Sequence, residues 1–215
     1  MTFMLGGSPA DRTAVRARAR LHIGCGTQAI PGWINVDNQN LSGVDRIIDV
    51  RNGLPFSRVE AIFAEHFLEH LTLDDGLNFL REARRVLDPA GLIRISTPNL
   101  DWVYLTHYRT GPSVGDEDAL HDCLQLNRAF HGWGHQFLFN RPTLAILLRA
   151  GGFAEVRFCR YGESEVPYLR NLERHEKSGD TAELPHVIIA EAYGHGTTQF
   201  PEESLREYRA ALVAR

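Results

Sequence analysis

Two groups of residues in this 215-residue chain have the types and spacing to do chemistry. The first is a glycine pair followed closely by an acid. Gly24, Cys25 and Gly26 follow the apolar run RLHI, and Asp37 ends a second run, WINVD (33–37). Glycines at a strand end let the backbone turn tightly and come close to a ligand that a Cβ would hold off. An aspartate at the next strand end has lone pairs enough for two hydroxyls. The second group is rich in histidine. His131 and His135 flank Gly132-Trp133-Gly134, and His66 and His70 lie four apart in EHFLEH. Imidazole titrates near neutrality, so these side chains suit proton transfer.

The glycine pair admits two ligands. Gly24-x-Gly26-x-x-Ala29 satisfies the dinucleotide fingerprint in its alanine form, with Asp45 about 20 residues on. That fingerprint must open a helix whose N-terminus receives a pyrophosphate. Pro31-Gly32 falls inside that helix, where proline costs about 3 kcal/mol. S-adenosylmethionine needs the close backbone approach and no pyrophosphate cradle. Its methionyl group would lie by the glycines and its ribose hydroxyls on Asp37. The plainer reading of Asp37 is a turn acid at a strand end.

The elements that position these residues alternate along the chain. Strand-like runs cover 20–24, 33–37, 45–50 and 60–65. The spacing predicts a helix over 72–87, opened by Thr72 and Asp75 as a capping-box pair. DPAG (88–91) turns the chain into the strand-like LIRIST (92–97). A second helix runs over 141–152, with Pro142 near its start and Gly151 at its end. Late strands are expected at 153–160 and 186–193, and a C-terminal amphipathic helix over 201–215. Alternation of this kind predicts an α/β fold, a mostly parallel sheet with its last strand antiparallel and helices on both faces. It lapses between 98 and 140, where aromatics, histidines and glycines crowd together. An insertion after a strand's C-terminal end faces the ligand crevice of such sheets, so this is the expected substrate region. YGESEVPYLRNLERHE (161–176) is polar and interrupted by proline, and is expected to be a surface excursion, with Glu163 and Ser164 within reach of an acceptor.

Composition narrows the class. Hydrophobic residues make up 43% of the chain and charged residues 23%, which fits a globular domain with a real core. The organisation expected is one domain over 1–215, with an N-terminal arm over 1–19. The formal net charge of −4 argues against a nucleic-acid partner, for which a basic face is usual. Arg12, Arg16, Arg18 and Arg20 read as a solvated face. Cys25, Cys123 and Cys159 are odd in number and widely spaced, so a reducing compartment and no disulfide framework are expected. No apolar run has the length of a membrane span, and MTFMLGGSPADR lacks the pattern of a secretory leader. A cytoplasmic protein with no membrane partner is expected.

Several motifs, in order, resemble those of the class I S-adenosylmethionine-dependent methyltransferases. HIGCGTQ resembles the glycine motif, and INVD the acid after the second strand. DVRNGLPF, with Asp49, resembles the segment whose acid meets the adenine amino group. AEHFLEHL (64–71) resembles the exit of the fourth strand beneath the methionine moiety, and REARRVLDPAGLIRISTPN the helix, turn and fifth strand. The combination with HGWGHQFLF, RAGGF and YGES is similar to a bacterial subgroup associated with polysaccharide and secondary-metabolite biosynthesis. The resemblance implies a Rossmann-like methyltransferase sheet with S-adenosyl-L-methionine as cofactor. It implies cofactor contacts from Gly24, Cys25, Gly26, Asp37, Asp49, Glu65 and His66. Two positions depart from the pattern: His22 stands where an acid is usual, and Gln28 replaces the third glycine. Glu65 is the substitute acceptor for the methionine ammonium, and the first helix is expected to be reduced or missing.

Methyl transfer from a sulfonium is an in-line displacement, so the protein chiefly aligns the reactants and excludes water. No tetrad of the N-P-P-Y kind follows the fourth strand, which with the acidic balance favours oxygen on a small molecule or glycan precursor. His131 and His135 are the candidate general bases, and Trp133, Phe137 and His107 the candidate acceptor contacts. No metal is assigned. His121, His131 and His135 with Asp122 or Glu163 match no familiar ligand spacing, and His66 with His70 is a pair only if helical. The partner expected is a small-molecule acceptor, with a homodimer left open. The rival functions are a nicotinamide-dependent oxidoreductase and a non-catalytic binding or scaffold protein of the same fold.

Overall fold

The computed structural model describes residues 19–109, 111, 114–174 and 183–213. Arg12, Arg16 and Arg18, with the rest of 1–18, lie outside the described residues, as do 175–176 of the polar segment and 214–215. Among the described residues seven strands form one sheet: β1 (Ala19–Ile23), β2 (Ile34–Asp37), β3 (Arg46–Ile47), β4 (Val59–Glu65), β5 (Leu87–Pro98), β6 (Glu155–Cys159) and β7 (Val187–Tyr193). Their order is β3-β2-β1-β4-β5-β7-β6. The first five run parallel, and β7 lies antiparallel between β5 and β6. The chain leaves β1 toward β2 on one side and later returns to β4 on the other. Strand order reverses there, opening a crevice at the carboxyl ends of β1 and β4.

Helices cover one face. Helix α1 (Leu73–Val86) starts as its sequence predicts, with Thr72 Oγ1 accepting from the Asp75 N–H at 3.1 Å and donating to the Asp75 carboxylate at 2.8 Å. Leu73, Leu77, Leu80 and Ala83 bury its apolar stripe. In α4 (Arg141–Ala150) the Asn140 side chain caps the Thr143 N–H, Pro142 occupies the first turn, and Leu144, Leu147 and Leu148 are buried. Helix α5 (Glu202–Val213) docks on the body through Leu205 and Tyr208, and Arg209 pairs with Asp74 of α1. Leu21, Ile23, Ile62, Ile93 and Ile95 face these helices from the sheet.

The other face differs from expectation. Its cluster of Ala61, Phe63 and Leu92 is covered by Ile30 and Trp33 from the short β1–β2 crossover and by Tyr168 and Leu169 from the segment after β6, with no α-helix in the cluster. The segment over 161–174 is therefore a strap across the sheet. The reason lies in polar residues that the alternation of β5 and β7 turns to this side. Arg94, fully buried, donates to Glu173 through Nε (2.6 Å) and to Glu191 through Nη1 (2.6 Å), and its Nη1 also reaches the Glu163 carbonyl. Ser164 Oγ donates to Glu191, so Glu163 and Ser164 serve this anchor. A buried guanidinium needs such partners. Arg20 meets the strap too, stacked 3.8 Å over Tyr168 and paired with Glu60.

The region after β5 folds into two helices, α2 (Leu100–His107) and α3 (Asp116–His131), around Val103, Ala129 and Leu138. It returns to the sheet at Phe139, which bridges to Asn99.

Candidate functional site

At the carboxyl ends of β1, β2 and β4 lies a cleft of about 730 Å³. Gly24, Asp37 and Asp49 line one part, and His66, His70, Thr72, Trp133 and Gln136 another. A cleft of this size at the topological switch point is where an open α/β sheet binds its ligand.

The glycine turn is built by three requirements. Gly24 has φ +67°, and a Cβ there would sit 2.4 Å from the Phe67 ring. Gly26 has φ +52° with open space around it, so conformation alone asks for glycine. The Gly26 N–H donates to Asp37 Oδ2 and the Gln39 N–H to Asp37 Oδ1, each at 2.9 Å. Asp37 thus holds the turn at the end of β1 and keeps a free lone pair on each oxygen. Asp37 is a turn acid, and its spare acceptor capacity borders the cleft. Residues 27–33 carry turns and no helix, as the proline required.

Other expected contacts are placed differently. Cys25 is buried and does not line the cleft; its N–H donates to the Val36 carbonyl, and burial pushes its thiol pKa up. Gly26 also stands behind the lining. Glu65 accepts from the Arg174 N–H at 2.8 Å, while the Arg174 guanidinium donates to the Gln28 carbonyl. Glu65 and Gln28 thus secure the end of the strap, and neither lines the cleft. Asp49 does line it, but Arg51 grips its carboxylate at 2.6 to 3.0 Å, which lowers its pKa. His22, the departure from the resembled motif, is buried and stacked on Phe63. Burial holds its pKa down to about 4, so it is neutral near pH 7 and places no charge beneath the glycine turn.

The histidines divide. His66 lines the cleft with φ +46°, a strained conformation for a residue with a Cβ. His70 lines it and packs edge-on against His135, whose ring also meets Trp133. His135 Nδ1 is 2.7 Å from the Ala129 carbonyl. A carbonyl only accepts, so Nδ1 carries the proton and Nε2 the lone pair. His131 is exposed beside Phe130, outside the lining. Phe137 packs into the core against Phe139 and Tyr208, and His107 against Trp102 with a hydrogen bond to Thr106. Neither reaches the cleft. His121 and Asp122 sit on α3, where the guanidinium of Arg109, outside that helix, grips Asp122. Glu163 lies in the strap. The metal group disfavoured by its ligand spacing does not assemble among the described residues.

Glu69 was passed over in the sequence and is central here. It is fully buried, accepts from Thr97 Oγ1 at 3.0 Å, and places Oε1 3.1 Å from His66 Nδ1. Its backbone carbonyl accepts from the Gln136 and Phe137 N–H groups, which holds the His135 segment against the β4 exit. The available signal was its spacing, an acid three residues after one histidine and beside another.

No family model matches the sequence, and no curated protein matches it at a significant level. Solved structures do match. The chain is similar to an S-adenosylmethionine-dependent methyltransferase from Clostridium acetobutylicum ATCC 824 at 9% identity and TM-score 0.51, over 83% of this chain and 85% of that one. It is similar to the CMeT domain of the citrinin polyketide synthase at 12% identity and TM-score 0.50, over 84% and 47%. A third match is PigF with SAH, at 16% identity and TM-score 0.46 over 82% of this chain; the chain spans about half the length of that protein. The sheet is thus a Rossmann-like one of the kind found in methyltransferases.

Proposed function

We propose that the cleft binds S-adenosyl-L-methionine and that the chain is a methyltransferase acting on a hydroxyl of a small molecule or glycan precursor. The observation that carries this reading is Asp37, which borders the cleft beside Gly24 with unused acceptor capacity on both oxygens. Two ribose hydroxyls match that capacity. The absence of a helix after the glycine turn weighs against a dinucleotide, whose pyrophosphate needs a helix N-terminus. Asp49, held by Arg51 on the same wall, marks the side where the adenine would rest.

The bound sulfonium supplies an activated methyl group, which is transferred in line. The protein aligns the acceptor and takes care of its proton. Trp133, 57% exposed with Arg128 stacked 4.7 Å over it, forms part of the cleft wall that an acceptor would meet. His135, with its Nε2 lone pair beside His70, is the histidine placed to assist loss of the hydroxyl proton. His131 is not so placed.

Calorimetric titration with S-adenosylmethionine, S-adenosylhomocysteine and NADH tests the reading. One-site binding of the first two alone is expected. Binding of NADH in their stead would establish the oxidoreductase, and cofactor binding with no turnover across a broad acceptor panel would favour a non-catalytic protein.

A further inference from the structure

A nitrogen of His70, a nitrogen of His135 and a carboxylate oxygen of Glu69 lie within 4.8 Å of one another. We infer that these three residues form a binding site for a borderline divalent cation such as Zn²⁺, at the acceptor end of the cleft.

Glu69 carries the argument. Its side chain is fully buried, and among the described residues no arginine or lysine pairs with it. Its Oε1 accepts no hydrogen bond, though a histidine nitrogen is 3.1 Å away. Buried carboxylates are normally matched by a cation or a metal. The second observation is the tautomer of His135. Its Nδ1–H is directed to a backbone carbonyl, the outer-shell contact that orients metal-binding imidazoles and leaves Nε2 as the ligand atom. Third, the scaffold is fixed from both sides. Glu69 is held by Thr97 of β5, and the His135 turn is docked on the Glu69 carbonyl by two N–H groups. His70 is exposed and its ring already adjoins that of His135, so a cation with bonds of about 2.0–2.2 Å has little distance over which to draw the three groups together.

The donor set selects the ion. Two imidazoles and one carboxylate suit zinc and neighbouring transition metals, whereas magnesium and calcium prefer oxygen alone. Three protein ligands leave coordination positions open, as in catalytic sites. His70 lines the cleft, so those positions face it. This use of the site rests on the methyl-transfer reading: with His135 Nε2 engaged as a ligand, the cation takes over its part in proton loss, and an acceptor hydroxyl bound to the cation loses its proton more easily, releasing it to solvent. The oxygen then forms its bond to the methyl carbon as the carbon–sulfur bond breaks.

The test uses the full chain, stripped with chelator, and titrated with Zn²⁺ and with Co²⁺, whose visible absorption reports its ligands. One equivalent per chain is expected. His135→Ala and His70→Ala are each expected to weaken binding by at least roughly a hundredfold, since even outer-shell changes cost about 10–100-fold. His70 is exposed, so its variant keeps the fold, and thermal unfolding checks this. No saturable binding by the wild-type chain, or affinity unchanged in both variants, would overturn the site. Calorimetry with S-adenosylmethionine on the same samples separates the two claims. Cation binding without cofactor binding leaves the site standing and removes the methyl-transfer reading; the reverse outcome removes the site alone.

Discussion

Asp37 does two jobs with one carboxylate, and substitution should separate them. Asp37→Asn keeps the shape and one acceptor oxygen but loses the charge. It is expected to weaken S-adenosylmethionine binding at least tenfold, about 1.4 kcal/mol, with a modest fall in thermal stability from the altered Gly26 and Gln39 contacts. Calorimetry and a melting curve read the two effects separately, and unchanged affinity would refute the ribose assignment. His135→Ala is expected to lower turnover by about 10²–10⁴-fold while cofactor affinity stays within a few-fold, because the ring stands at the acceptor end. Equal losses in affinity and turnover would place it against the cofactor.

Elements decide which glycine is indispensable. Gly24→Ala forces a Cβ onto the Phe67 ring at a positive φ, whereas Gly26→Ala meets the positive φ alone. The first is expected to cost more than the second, which should cost about 1 kcal/mol; urea unfolding of both variants ranks them, and a reversed order would contradict the packing. The strap is an element of another kind, irregular in backbone and fixed by charge. Removing one partner of a buried ion pair costs about 3–5 kcal/mol. Glu173→Gln, facing Arg94, is expected to fall in that range and to expose 161–174 to protease. A loss under about 1 kcal/mol, the scale of surface pairs, would mean the strap is held by Tyr168 and Leu169 instead.

For the whole molecule, the buried His22 sets a pH limit. Its pKa in the folded state is about 4, against 6.5 for a free histidine. Between these values the unfolded chain binds a proton that the folded chain does not, so stability falls as pH drops through this window. The shift corresponds to roughly 3 kcal/mol when complete. The difference in unfolding free energy between pH about 7 and about 4.5 should be smaller in His22→Gln than in the wild-type chain. An identical difference would show that His22 is solvated. His22 is thus a neutral ring, bonded to Asn35 and stacked on Phe63. The carboxylates and guanidinium that line the cleft are those of Asp37, Asp49, Asp75 and Arg51.

Local pattern was enough for the parallel sheet, the helices α1 and α4 and the reduced first crossover; the motif resemblance singled out Asp49 and His66, which line the cleft with Gly24, Asp37 and Trp133. The elements are consequences of short-range physics: capping at Thr72, Pro142 at the start of α4, apolar periodicity, and a proline that forbids a helix after the glycine turn. What faces what was decided by the tertiary structure alone. Cys25 and Glu65 adjoin the right turns yet serve the core and the strap, because the pleat and the Arg174 contact direct them there. Phe137 and His135 are two residues apart, but one packs into the core and the other stands beside His70. Glu69 and His135 are brought together across the chain by the docking of one backbone segment on another. Hydrogen bonds between segments so distant in sequence leave no periodic trace, so the site they build is visible only in the folded chain.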